Sequence, residues 1–292
     1  SPDATWDGSA DSDWATAANW DSNSVPTSSD DVCIPDAGTV PNSPVITSAA
    51  EAANLDVAAS GDLQVSAGSL TVGNEFAVSG TFSTAGSSTL EVNGATAIGA
   101  TPASVTFNGG NLDFNGGFTL GNGGTVHWQN GTWDSTGQSI FISGAFYVEG
   151  DDTLTADAFT NDASLIKDNA TVATLDTDFT ITAGHGITIN DGTLVTNGTF
   201  TQNGTANINN GELDLGANLF TQGTGTTLNM NTANSVLTAD TVTFNSTTNV
   251  NAQGIIDGDV VFNDGTLSVA GGSDSYGTLE IVGNFTQAAG TV

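Results

Sequence analysis

The sequence predicts an all-β chain, a parallel β-helix (β-solenoid) of about three short strands per coil with a Trp-rich N-terminal cap. Three observations predict it. An apolar–x–apolar pair recurs from about residue 50 onward. Asn-Gly dipeptides separate the pairs at short, even spacing. Helix formers are scarce: the 292 residues include one lysine, no arginine and one methionine.

The pair is the first element to justify. Leu55/Val57, Leu63/Val65, Leu70/Val72, Phe76/Val78, Leu90/Val92, Val105/Phe107 and Leu112/Phe114 open the series. Ile140/Ile142, Phe146/Val148, Phe179/Ile181, Ile187/Ile189, Leu228/Met230, Val260/Phe262, Leu267/Val269 and Leu279/Ile281 continue it. Spacing of i, i+2 turns both side chains to one face of a strand, so each strand is short and buries one face. Phenylalanines such as Phe76, Phe107, Phe114, Phe179, Phe200, Phe244 and Phe262 fall at inward positions, which suits ring packing between coils.

The corners come next. Asn108-Gly109, Asn115-Gly116, Asn122-Gly123 and Asn130-Gly131 supply the positive-φ conformation that a sharp corner needs. Two architectures fit this rhythm: an antiparallel meander with type I′ hairpins, or a parallel β-helix with coils of about 20–22 residues. Short hairpins bury little, whereas a β-helix merges every inward pair into one continuous core. About 12 coils rising ~4.8 Å each would make a rod roughly 60 Å long.

Residues 1–45 differ and are read as the cap, with 46–292 as the β-helix. Trp6, Trp14 and Trp20 stand in loop-rich sequence, followed by Val25-Pro26 and Asp30-Asp31-Val32-Cys33-Ile34. An open solenoid end exposes unpaired backbone and apolar core, and large aromatics can plug it. Cys33 alternates with Val32 and Ile34 and should face away from them; a single cysteine gives no disulfide framework. The opening Ser1-Pro2-Asp3, without methionine, reads as a processed or trimmed start.

Trp14, Asn19-Trp20, Val25-Pro26, Asp30-Asp31-Val32 and Ile34, leading into the Leu-x-Val repeat, resemble the opening of bacterial surface β-helix proteins. Gly68-Ser69-Leu70-Thr71-Val72, Gly198-Thr199-Phe200-Thr201-Gln202 and Asn284-Phe285-Thr286-Gln287 are similar to repeats of autotransporter passengers and filamentous-haemagglutinin-type proteins. The resemblance covers most of the chain and implies an extracellular β-helix. The chain departs from autotransporters in carrying no membrane-barrel translocator within its 292 residues.

Charge excludes several partners. The formal net charge is −31, with the acids spread along the whole chain. Such a surface repels nucleic acid, which requires a basic footprint, and anionic lipid headgroups. No apolar run is long enough to span a bilayer, so membrane insertion is not expected. High-salt or divalent-cation surroundings suit this field.

Chemistry is sparse. Gly184-His185-Gly186 resembles the Gly-His-Gly that polygalacturonase-type β-helix hydrolases carry beside paired aspartates, for which Asp151-Asp152 could be offered. That family's cationic Arg-x-Lys element is missing, so no catalytic residue is expected. Two histidines and one cysteine cannot make a usual zinc site, which leaves calcium as the plausible ion. Asp11, Asp13, Asp30, Asp31, Asp151 and Asp152 are its candidate ligands, with solvated surface charge as the competing reading. Asn-x-Ser/Thr sequons at Asn130, Asn169, Asn197, Asn203, Asn245 and Asn284 permit glycosylation.

Taken together, these features lead to the expectation of a secreted or cell-surface structural β-solenoid that requires no cofactor. Self-association head to tail is expected to join the tryptophan segment (Trp6, Trp14, Trp20) to the final coil (Leu279, Ile281, Phe285). The alternatives are an adhesin gripping carbohydrate or a cell surface, and a polysaccharide hydrolase.

Overall fold

The structure is a computed structural model that describes residues 1–99, 103–245, 249–269, 277–289 and 292. It resolves into two compact units, Ser1–Phe146 with Leu154–Asp157, and Tyr147–Thr153 with Ala158–Val292. Each is a parallel β-solenoid, and together they hold about 12 turns. No helix among the described residues is long and apolar enough to cross a membrane.

In the first unit three stacks of strands form three walls. One runs Ala4–Thr5, Asp31–Ile34, Asn54–Val57, Phe76–Val78, Thr96–Ile98, Phe118–Leu120, each parallel to the next. The second stacks Ala49–Ala52, Ser69–Val72 and Thr89–Val92. The third stacks Val45–Ile46, Asp62–Val65 and Thr81–Ala85. Parallel pairing excludes the hairpin meander. The repeat length shows in contacts between coils: Asn115 bonds Asn93 22 residues back, and Asn209 bonds Asn190 19 residues back.

The inward pairs are where their spacing puts them. Leu55, Val57, Leu63, Val65, Leu70, Val72, Phe76 and Val78 are buried, while the residues between them are half-buried or exposed. Rings pack edge-on across the core, within a coil as in Phe76–Phe82 (5.0 Å) and between coils as in Phe107–Trp133 (5.3 Å). In the second unit Phe159, Phe179, Phe200, Phe220, Phe244 and Phe262 form a continuous column. Each such side chain contributes about 1.5–3 kcal/mol relative to exposure.

The Trp-rich segment is woven into the solenoid rather than set apart from it. Asp31–Ile34 is already a wall strand, pairing with both Ala4–Thr5 and Asn54–Val57. Trp20 lies edge-on to Trp6 (5.0 Å) and Trp14 (4.7 Å), and all three rings are buried. The Trp6 indole N–H donates to the Asn42 carbonyl at 2.7 Å and that of Trp20 to the Trp14 carbonyl at 2.9 Å. Asn19, fully buried, holds the loop between them by accepting from the Ala10 and Asp11 amides.

The corners follow the expected chemistry with one shift. Gly109, Gly123 and Gly131 have positive φ, but after Asn115 it is Gly117, not Gly116, that does. Ser104–Phe114 continues across its Asn108-Gly109-Gly110 corner as a single strand with an irregular register. A Cβ on Gly110 would lie 1.9 Å from the Ser88 carbonyl oxygen, so only glycine fits that crossing.

Candidate functional site

Three of the six candidate calcium ligands, Asp11, Asp13 and Asp30, accept hydrogen bonds within local turns, and Asp31 accepts one from the next coil. The Asp11 carboxylate accepts from the Asn19 amide (2.6 Å) and the Asp13 N–H (2.8 Å), and these bonds, the Asn19 one foremost, hold its pKa down. Asp13 accepts from the Ala15 N–H. Asp30 accepts from the Thr27 N–H and hydroxyl, which lower its pKa in that order. Asp31 accepts from the Asn54 amide at 2.6 Å. Asp151 and Asp152 lie in a corner of the second unit. Among the described residues no group of three or more His, Cys, Asp or Glu side chains is placed to hold a metal.

His185 stands at a different corner from that pair. Its Nε2 is 3.6 Å from Asp162 Oδ1, which accepts the Thr182 hydroxyl at 2.6 Å. The corner aligns with Ala163 in one coil and Thr205 in the next, whereas Asp152 aligns with Thr174. Gly184-His185-Gly186 is therefore not joined to the Asp151-Asp152 pair offered for it.

The assembly residues divide. Trp6, Trp14 and Trp20 are buried within their own chain, so a neighbour could meet that end through backbone edges but not through the rings. Leu279 and Ile281 are half-buried, and Phe285 is 41% exposed beside Val282 at 48%. Gly290 and Thr291 lie outside the described residues. Cys33 is a half-buried free thiol, its pKa raised by burial and then by Asp56, Asp21 and Asp36.

Two features escaped the sequence reading. Lys167, the chain's one cation, is fully buried, and its ammonium donates to the Asp168 carbonyl (2.9 Å), the Asn169 carbonyl (2.8 Å) and the Thr171 hydroxyl (2.9 Å). The other is an open trough of about 540 Å³ beside Phe200–Gln202 and Leu219–Gln222, rimmed by hydroxyls and amides. In both places a polar residue occupies the second inward position of a pair: Leu165/Lys167, Phe200/Gln202 and Phe220/Gln222. A search for apolar pairs passes over them.

Residues 5–112 match a family model described as a domain of unknown function (DUF8693). No curated protein and no solved structure matches the chain.

Proposed function

We propose that the chain is a secreted or cell-surface structural β-solenoid, without catalytic activity, whose exposed final strands associate head to tail with a second copy. The observation that carries this reading is the direction of the aromatics. All five tryptophans and most phenylalanines are buried, so the rings build a core instead of a ligand platform. Threonine, asparagine and aspartate form much of the outer layer, and asparagine amides bond from coil to coil, as Asn229 to Asn207 and Asn251 to Asn229. This is the economy of a scaffold. The composition and the resemblance to surface β-helix repeats support the location.

Association would use Leu279–Val282 and Phe285–Gln287, whose apolar side chains are partly uncovered. A strand edge of that kind pairs readily with another chain, and a heterologous contact propagates. Light scattering and negative-stain microscopy at high concentration in salt should show elongated oligomers, and Phe285→Asp with Val282→Asp should return them to monomers without loss of strand content. A monodisperse monomer of the unaltered chain would overturn the association.

A further inference from the structure

We propose that one wall of the second unit, the one that ends at Thr266–Ser268, adsorbs to ice. Its strands are Ser164–Lys167, Gly186–Ile189, Thr205–Ile208, Thr227–Met230, Asn249–Ala252 and Thr266–Ser268, each parallel to the next and paired without a register shift. Leu165, Ile187, Ala206, Leu228, Val250 and Leu267 fill the core. The residues on either side of them therefore face outward, in two columns. The first column holds Ser164, Gly186, Thr205, Thr227 and Thr266, and the second Ile166, Thr188, Asn207, Asn229, Asn251 and Ser268.

No charged residue stands in either column, in a chain whose net charge is −31. The other two walls of the same unit do carry acids: Glu212, Asp214, Asp257 and Glu280 on one, Asp178 and Asp259 on the other. The columns are also held still. The Asn251 amide donates to Asn229 Oδ1 at 3.0 Å and the Asn229 amide to Asn207 Oδ1 at 2.8 Å, so each side chain fixes the next. Thr188, Thr205, Thr227 and Thr266 are β-branched and restricted at χ1. Along the adjoining corner Asn231, Asn209 and Asn190 repeat the ladder.

Such a surface lacks what most partners need. Protein hot spots centre on Trp, Tyr or Arg, sugar platforms present an aromatic face, and nucleic acid requires cations. None of these residues stands in the columns. What the wall offers is a rigid, neutral grid. Its hydroxyls and amides recur about 4.8 Å apart from coil to coil and about 6.7 Å apart between the columns. The prism face of ice repeats at distances close to both. Each hydroxyl or amide can donate to and accept from a lattice water, and groups already fixed lose little freedom in doing so. A carboxylate would hold hydration water of its own instead, which gives the missing charges a reason. This role is compatible with the scaffold reading and does not rest on it.

The test is nanolitre osmometry of the full chain, with a fluorescently labelled sample offered to a growing ice hemisphere. The unaltered chain should arrest ice growth below the melting point, facet the crystals and be taken up into the hemisphere. Thr227→Glu and Thr266→Glu each place a carboxylate in the first column and should lose both effects. Thr266 is exposed, so folding is spared there. Thr221→Glu, on another wall and also exposed, should keep both. Circular dichroism confirms the strand content of each chain. No arrest or uptake by the unaltered chain, full activity in folded Thr227→Glu and Thr266→Glu, or equal loss in Thr221→Glu would each overturn the assignment. Retention on crystalline cellulose or chitin without uptake into ice would overturn it in favour of a polysaccharide surface.

Discussion

Lys167 is held by three oxygens at a corner of the second unit, next to Asn169 in the left-handed conformation (φ 76°). The Thr171 hydroxyl in turn donates to the Gly150 carbonyl of the preceding coil at 2.7 Å. The ammonium thus does from inside what an ordered cation does elsewhere, gathering carbonyls at a sharp bend. Burial lowers its pKa below 10.5, against the opposing pull of Asp191, Asp168 and Glu149. Between the lowered folded value and 10.5 the unfolded chain binds the proton more tightly, so this group's contribution to stability rises with pH through that window. Lys167→Met keeps the length but leaves three oxygens without their donor, which should cost about 1–3 kcal/mol near neutral pH. Paired urea titrations of the two chains should show this gap widening on the alkaline side; a gap that is absent, or that narrows there, would refute the account. The sequence gives little warning of it. Lysine stands where Val57, Val65 and Val72 stand in other strands, and hydropathy alone assigns it outward.

Strands were legible because the inward pairs repeat with a period of two, and burial follows that period from Leu55 to Phe262. The exceptions have local causes. Val269, expected inward beside Leu267, is 43% exposed and falls after the strand Thr266–Ser268 has ended. The pairing of Leu219–Gln222 with Phe200–Gln202 through Gln222 and Gln202 alone could not be read, because Phe-Thr-Gln occurs at 200, 220 and 285 without announcing which copy loses its pairing. Outward ladders were also invisible before the register was known. Asparagine ladders are favourable: Asn231, Asn209 and Asn190 each donate to the coil before, ending on the acceptor Asp168. Carboxylate ladders are not. Register places Glu91, Asp113 and Asp134 in line, and the Asp113 pKa is raised by desolvation first and then by Asp134 and Glu91. Its folded pKa lies above 3.8, so its contribution to stability is greatest below 3.8 and is lost as pH rises through the folded value. Asp113→Asn should therefore stabilise the chain near neutral pH by about 0.2–1 kcal/mol, as expected for relieving like charges directly opposite in a sheet. Thermal melts should show the advantage disappearing in acid. An advantage that persists or grows below pH 3.8 would contradict the ladder as its source.

At the scale of the whole molecule, charge is the dominant unbalanced term. The net charge of −31 has no surface lysine or arginine to offset it, since Lys167 is buried and engaged. Each unit must therefore fold against the mutual repulsion of its own carboxylates, and unfolding relaxes that repulsion by moving them apart. Screening sets the size of the effect. The Debye length is about 30 Å at 0.01 M ionic strength and about 3 Å at 1 M, so added salt shields carboxylates in successive coils progressively from one another. The melting temperature should rise steadily with sodium chloride over that range. Calcium chloride should raise it too, but gradually, because no cluster of three ligating side chains is present among the described residues to make the response saturate. Calcium on this view assists the fold without being required for it. Differential scanning calorimetry across both salt series decides the matter: a transition unmoved by either salt would remove repulsion as a major term, and a sharp rise saturating at micromolar calcium would replace screening with a specific site.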